Sequence, residues 1–181
     1  MRFGLLTALL LSAATLATAQ IKRERGSCFI VTEGQFAPLF SFVTNEGDTL
    51  DADLLRGQVI ILQFAASWCP FSAAQMTDYQ KYLWEKHKGD DSFSMYILCE
   101  DAPTGRRDFE SLLHEQGINI PYAFDDNEHI YKLFVTPNGS VTRTVVIGPD
   151  WKIEGLYDKH TRRGLRKIRH SVDKLLRSAK R

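Results

Sequence analysis

The chain has few of the residues that hold metals or cross-link a fold. Its 181 residues include three cysteines, Cys28, Cys69 and Cys99, and five scattered histidines, and neither type recurs at metal-ligand spacing. The pattern argues against a zinc or iron site, and no cofactor is expected. Three cysteines cannot all pair within one chain, so one thiol stays free or pairs between molecules. Cys69 is the natural free one.

A strong net charge and long apolar segments are also absent. Lys and Arg number 23 and Asp and Glu 22, so no overall field draws the chain toward a polyanion. Arg2, the apolar run 3–16 and the small residues 17–19 predict a signal peptide over residues 1–19, cleaved before Gln20. The alternative is a buried N-terminal helix. We expect export, to the periplasm or out of the cell, and no membrane span after cleavage.

No linker, repeat or low-complexity stretch divides the rest of the chain, which predicts an N-terminal extension over 20–32 and a single domain over 33–181. The end of this domain is strongly basic, yet Leu165, Ile168 and Val172 fall at helical spacing. This predicts a closing helix whose charges lie in water. The alternatives are a nucleic-acid or membrane-surface site, or a surface for an acidic partner. Aromatic residues for base stacking are missing, so no specific nucleic acid is expected.

The most informative stretch is Phe64-Ala65-Ala66-Ser67-Trp68-Cys69-Pro70-Phe71-Ser72, where an apolar strand runs into a corner and then a helix. A thiol in the first turn of a helix faces unpaired backbone N–H groups and the positive end of the helix dipole, which favour the thiolate. The thiolate is the nucleophilic form of cysteine. The sequence therefore predicts Cys69 as a nucleophile, in an environment formed by Trp68, Pro70, Phe71 and Ser72.

Hydrophobic patterning predicts an α/β fold. Apolar runs over 59–64 and 94–99 indicate two parallel buried strands joined by a helix over 71–88, and two strands over 142–147 and 152–156 follow. Right-handed crossovers place helices on both faces of such a sheet. Cys69 at the corner and Cys99 at the end of the second strand then both lie at the carboxyl ends of the parallel strands. Ligand-binding and catalytic residues of open α/β sheets are usually found at this edge.

The corner and its flanks resemble the thioredoxin-fold disulfide reductases of the TlpA kind and the peroxiredoxin-related redoxins of the AhpC/TSA family. The resemblance covers about residues 33–157. Residues 33–42 and 54–59 look like the family's lead-in to the active-site strand, and 117–125 resembles an insertion before the final hairpin. It implies a thioredoxin-like fold: a central mixed β-sheet flanked by helices, with an N-terminal hairpin and a helix/strand insertion.

Three positions depart from the pattern that this resemblance implies. Dithiol reductases carry a second cysteine three residues after the first, where this chain has Ser72. Many thioredoxins have a buried acid six residues before the cysteine, where Gln63 stands, and glutamine cannot act as a base. The family's cis-proline before the penultimate strand is replaced by Thr142, for which we expect a trans bond.

The resemblance also implies a substrate groove beside the thiol, formed by Thr142 and Arg143. Threonine at this position is similar to the peroxiredoxin side of the superfamily, and Arg143 could stabilise the Cys69 thiolate. The alternative for Arg143 is the solvated side of an edge strand. Cys99 could resolve a disulfide at Cys69, and its alternative is a small buried hydrophobe.

These features imply one-cysteine chemistry, in which Cys69 attacks a disulfide or an oxidant and another thiol releases the product. The predicted function is an exported thiol-disulfide oxidoreductase, acting like an isomerase or a partner-dependent reductase. Its partners would be protein thiols or disulfides, or a small-molecule thiol. Two alternatives stay open: a redoxin-fold binding or structural protein without turnover, and a one-cysteine peroxidase. The peroxiredoxin proline and threonine upstream of the cysteine are absent, since Leu62 and Ala66 occupy those positions.

Overall fold

The computed structural model describes residues 28–137, 139–158 and 160–179, so the predicted signal peptide and residues 20–27 of the predicted extension lie outside the described residues. The described chain contains both strands and helices. In order they are β1 (Ser41–Val43), β2 (Thr49–Asp51), α1 (Ala52–Leu55), β3 (Val59–Ala65), α2 (Pro70–Tyr79), α3 (Glu85–His87), β4 (Phe93–Cys99), α4 (Arg106–Glu115), β5 (Tyr122–Phe124), α5 (Tyr131–Phe134), β6 (Arg143–Ile147), β7 (Ile153–Tyr157) and α6 (Arg162–Ala179).

The central sheet has five strands in the order β5-β4-β3-β6-β7. Strands β3, β4 and β5 are parallel, whereas β6 runs antiparallel to both β3 and β7. Every residue of β3 is buried, because helices or loops cover both faces of the sheet. The mixed sheet confirms the predicted fold class. The antiparallel β1–β2 pair is the expected hairpin, and α4 with β5 forms the inserted helix and strand.

Two apolar cores lie on opposite faces of the sheet. On one face, α2, α4 and α6 bury Met76, Phe109 and Ile168 among other side chains. On the other face, the segment before β3 and α5 bury an aromatic cluster that includes Phe40 and Trp151, whose rings stack with centroids 5.5 Å apart. No helix in residues 28–137, 139–158 and 160–179 is long and apolar enough to cross a membrane.

The helix after the corner differs from the single helix predicted over 71–88. It begins at Pro70, and a π-helical turn, Gln80–Trp84, separates α2 from α3. The Gln80 side chain accepts the N–H of Asn119 at 2.9 Å and donates to Glu85 at 2.7 Å. The bond to Asn119 ties the wider turn to the loop before β5, and such a long-range partner cannot be inferred from local helix patterning.

Candidate active site around Cys69

The corner places Cys69 at the start of α2, as the sequence predicts. Cys69 is the residue that precedes the first helical turn, with an extended backbone (φ −100°, ψ 109°), and Pro70 occupies the first position of the helix. The Cys69 carbonyl accepts the N–H of Ser72 at 3.0 Å and that of Ala73 at 3.3 Å, which closes the first turn. The thiol is therefore next to the free N–H groups and the positive end of the helix dipole.

Two hydroxyl groups connect Cys69 to β6. The Thr142 hydroxyl lies 3.3 Å from Cys69 Sγ and 2.9 Å from Ser72 Oγ, and Ser72 Oγ accepts the N–H of Ala66 at 3.3 Å. A thiolate has no proton to give, so Thr142 donates to sulfur in that state and accepts from Ser72. Each hydrogen bond of the series, from Ala66 to Ser72, from Ser72 to Thr142 and from Thr142 to the sulfur, is then donated in the direction of Cys69. The series links the end of β3, the first turn of α2 and the start of β6.

This environment favours the thiolate. Burial is the largest single influence on the Cys69 thiol and would by itself raise its pKa. The hydroxyls of Thr142 and Ser72 and the backbone N–H groups of Ser72 and Phe71 together outweigh burial, so the pKa of Cys69 lies below the ordinary thiol value. Cys69 itself is 7% exposed. Because the sulfur is nearly buried, a partner can react with it only if its own surface fits closely against the residues around Cys69.

Aromatic side chains on either side of the thiol supply such a surface. Trp68 is 70% exposed and Phe71 is 68% exposed, although both are large hydrophobic residues. Pro70 between them is exposed as well. We call Trp68, Pro70 and Phe71 the apolar rim. Exposed aromatic residues around a polar centre are typical of protein interaction sites, because they gain most from being covered.

Gln63 lies buried on β3 beneath the active-site helix. Its amide donates to Gln75 Oε1 of α2 at 3.3 Å, and its own Oε1 has no hydrogen-bond partner among the described residues. Neither amide titrates. The sequence predicts that Gln63 cannot act as a base, and Gln75, which it contacts on α2, cannot act as one either.

Thr142 and Arg143 point to opposite faces of the sheet, because side chains alternate along a strand. The Arg143 guanidinium donates to the carbonyls of Thr142 at 2.8 Å and Asp158 at 3.0 Å and lies 6.0 Å from the Phe29 ring centroid. Arg143 is buried, and β6 lies between β3 and β7, so the alternative of a solvated arginine on an edge strand is wrong. Its described donors hold the backbone beside Thr142. The Thr142 peptide bond is trans, as expected, since the described residues contain no cis bond.

Cys99 ends the strand next to β3, as the sequence predicts, directly beside Ala65 in the register of the two strands. Its side chain is fully buried among the apolar residues beneath α2 and α4, and burial raises the pKa of its thiol to about 12. Cys28, Cys69 and Cys99 are all free thiols. Cys28 is half-buried, and its carbonyl accepts the N–H of Thr136.

Acidic residues at the carboxyl edge of the sheet were not identified from the sequence. Both carboxylate oxygens of Asp101 accept the N–H of Ser67, at 3.1 and 3.2 Å, which fixes the loop before the cysteine. Burial and the nearby carboxylates of Asp125 and Glu128 raise the pKa of Glu100 to about 9. Glu100 and Asp101 follow directly after a buried parallel strand, and this position could have identified them from the sequence as residues near the site.

The fold and the corner together define a thioredoxin-like protein with a single cysteine at the start of the active-site helix. Residues 34–155 match the sequence model of the AhpC/TSA family. The chain belongs to this family. A comparison with curated proteins found no match.

Solved structures confirm the fold. The chain is similar to a proposed protein disulfide isomerase from Bacteroides thetaiotaomicron, with 26% identity, coverage of 82% of this chain and 92% of that chain, and a TM-score of 0.77. It is also similar to the thioredoxin domain of a thiol-disulfide oxidoreductase from Bacteroides vulgatus (16% identity, 81% and 99% coverage, TM-score 0.65). A third similar structure is a secreted disulfide oxidoreductase of Mycobacterium tuberculosis (16% identity, 75% and 96% coverage, TM-score 0.60).

Proposed function

We propose that this protein is an exported thiol-disulfide oxidoreductase that acts through Cys69 alone. The observation that carries the proposal is the pair of hydroxyls, Thr142 and Ser72, that surround the Cys69 sulfur and lower the pKa of its thiol. A cysteine that served only to fill space would need no such partners, and burial alone would keep it protonated. Similarity to oxidoreductases, one of them secreted, supports the class of reaction and the predicted export.

The reaction has two thiol-exchange steps. The Cys69 thiolate attacks one sulfur of a client disulfide, a new S–S bond forms to Cys69, and the other client sulfur leaves as a thiolate that takes a proton from water. An external thiolate, on a protein or a small molecule, then attacks the client sulfur of the mixed disulfide, forms a new S–S bond to it and releases Cys69 as a thiolate. The chain itself is not expected to carry out this second step, because Ser72 stands at the resolving position and Cys99 is buried with a raised pKa.

The substrate class follows from the surroundings of the thiol. Trp68, Pro70 and Phe71 present an exposed apolar rim around a nearly buried sulfur. A client with an exposed apolar segment beside its disulfide would cover this rim on binding, which a small polar disulfide cannot do. We therefore propose protein or peptide disulfides as clients, with Thr142 and the backbone held by Arg143 on the other side of the groove.

The proposal is tested by trapping the mixed disulfide. The mature protein is incubated with a peptide disulfide, quenched with acid and mapped by mass spectrometry without reduction. We expect the client on Cys69, complete loss of the adduct in Cys69→Ser, and an unchanged adduct in the matched control Cys99→Ser. A disulfide between Cys69 and Cys99, or turnover that survives Cys69→Ser, would contradict the single-cysteine mechanism.

A one-cysteine peroxidase is the second candidate, favoured by the Thr142 hydroxyl beside the sulfur. In that reaction the thiolate attacks one oxygen of a peroxide, the O–O bond breaks, and Cys69 becomes a sulfenic acid while the other oxygen leaves as water or an alcohol. Stopped-flow competition between peroxide and peptide disulfide for Cys69 separates the two functions. A binding protein without turnover would react with neither.

A further inference from the structure

The outward face of α6 carries a line of basic residues that the proposed redox function does not use. Its 18 residues follow β7 after a four-residue connection and bury Leu165, Ile168, Val172 and Leu176 against the sheet. On the opposite side, exposed basic residues recur at intervals of four and three, so they form one straight row about 21 Å long at a rise of about 1.5 Å per residue. The row, called here the basic stripe, consists of Arg163, Lys167, His170, Lys174 and Arg177.

The basic stripe has no acidic partner in the described part of the molecule. The ion pairs there that involve α6 are those of Asp173 with Lys86 and His87, at its flank. Exposed Arg162 and Arg166 lie beside the stripe and form no described ion pair either. Seven Lys and Arg face one Asp between residues 162 and 179.

The rest of the domain has the opposite charge. Between residues 28 and 158 there are nine Lys and Arg against twenty Asp and Glu. The near-zero net charge of the whole chain therefore hides a strongly dipolar molecule. An anionic surface repels the body and attracts α6, so it would orient the protein with the stripe toward it.

We propose that the basic stripe binds the headgroups of an anionic phospholipid bilayer. A straight row on a convex helix can contact a plane along its whole length. The exposed face of α6 carries no large apolar side chain that could form the desolvated centre of a protein interface, and no Phe, Tyr or Trp that could stack on a base. The same lack of apolar residues excludes insertion into the hydrocarbon, so adsorption is electrostatic.

Adsorption in this orientation leaves the thiol accessible. Strand β7 runs in the same direction as β3, because both are antiparallel to β6. The N-terminal end of α6 thus lies at the sheet edge that carries Cys69, whereas the stripe faces outward from the sheet. In a protein bound to the bilayer through the basic stripe, the apolar rim would lie beside the surface that contacts the bilayer and not within it. Clients could therefore still reach the rim.

The test is co-sedimentation of the full mature protein with vesicles of phosphatidylcholine that contain about 30% phosphatidylglycerol, at low and high salt. We expect binding at low salt, loss of binding at about 0.5 M NaCl, and no binding to pure phosphatidylcholine. Lys167→Glu/Lys174→Glu should lower the partition coefficient by more than about 100-fold, since each cation near an anionic surface contributes about 1 kcal/mol. The matched control Arg107→Glu/Lys132→Glu makes the same change in net charge away from the stripe and should retain most of the binding.

The vesicle assay tests the basic stripe independently of the proposed role of Cys69. Cys69→Ser should bind vesicles like the wild type, so the binding assay stands even if the redox proposal fails. Absence of vesicle binding, or equal losses in the two double variants, would overturn the proposal. Salt-sensitive binding to polyglutamate without vesicle binding would do so as well, and would assign the stripe to an acidic protein. Lys167→Gln/Lys174→Gln, with a circular dichroism melt, controls for any folding defect.

Discussion

The Thr142 hydroxyl should be a main determinant of Cys69 reactivity. Thr142→Val removes the hydroxyl and keeps nearly the same shape, so the sulfur loses its partner at 3.3 Å and Ser72 loses its partner at 2.9 Å. The largest remaining influence on Cys69 is burial, which disfavours the thiolate. The pKa of Cys69 should therefore rise in this variant.

The magnitude follows from the number and kind of bonds. Four groups favour the thiolate, two hydroxyls and two backbone N–H groups, and the substitution deletes the hydroxyl that lies 3.3 Å from the sulfur. A hydrogen bond to a charged group contributes about 1.5–3 kcal/mol, which at a pH below the thiol pKa corresponds to a loss of at least about tenfold in thiolate population. Alkylation should slow by the same factor.

The assay is the pH dependence of iodoacetamide alkylation, followed by mass spectrometry of the Cys69 peptide. We expect the profile of Thr142→Val to move to higher pH while its plateau at high pH stays close to that of the wild type. Thr142→Ser keeps the hydroxyl and is the matched control, with a profile near the wild type. The reasoning is refuted if Thr142→Val leaves the profile in place, or if Thr142→Ser moves it as far as Thr142→Val does.

Three other substitutions test the site. Ser72→Cys should form a disulfide with Cys69 on mild oxidation and greatly raise dithiol-dependent reduction of a generic disulfide; no such disulfide would mean that the corner geometry is misjudged. Glu100→Gln should stabilise the protein by about 3 kcal/mol at about pH 7 and by almost nothing at about pH 4. The native carboxyl, with its pKa raised to about 9, stays protonated at about pH 7, whereas the carboxyl of the unfolded chain ionises above its ordinary pKa. Thermal melts at the two pH values measure this, and an equal gain at both would contradict it. Asp101→Ala frees the Ser67 N–H, so it should destabilise the protein by about 1–3 kcal/mol and slow Cys69 alkylation, whereas an unchanged alkylation rate would show that the loop needs no clamp.

The sequence was sufficient to place the elements that carry the site. The place of Thr142 beside the thiol was implied by the resemblance to thioredoxin-fold proteins, counted back from the final hairpin. Apolar runs and the helix-start signal at Pro70 predicted β3, β4 and the corner. These last features depend on local patterns, which a sequence displays directly. The same alternation along a strand shows that Thr142 and Arg143 point to opposite faces, so only one of them can contact the sulfur. Strand alternation in the sequence is therefore enough to separate the roles of Thr142 and Arg143.

Contacts between distant segments could not be predicted in the same way. Asp101 is 34 positions from Ser67, and Gln80 is 39 positions from Asn119, so neither hydrogen bond leaves a trace in local spacing. The distance between Thr142 and Cys69 Sγ depends on how the loop before β6 packs on α2, which is a property of the whole fold. Such contacts are decided by packing, and a single sequence does not display them.

The serine and the threonine act as one unit. Thr142 can donate to the thiolate and still satisfy its oxygen because Ser72 donates to it, and Ser72 can donate because its own oxygen accepts the N–H of Ala66. A cysteine in place of the serine would be a weaker donor, and a proline in place of the threonine would offer neither sulfur nor serine a partner. The arrangement stabilises one ionised sulfur with groups that cannot be oxidised. It therefore favours a thiolate over internal disulfide formation, and in the proposed mechanism a partner thiol supplies the reducing equivalents of each cycle.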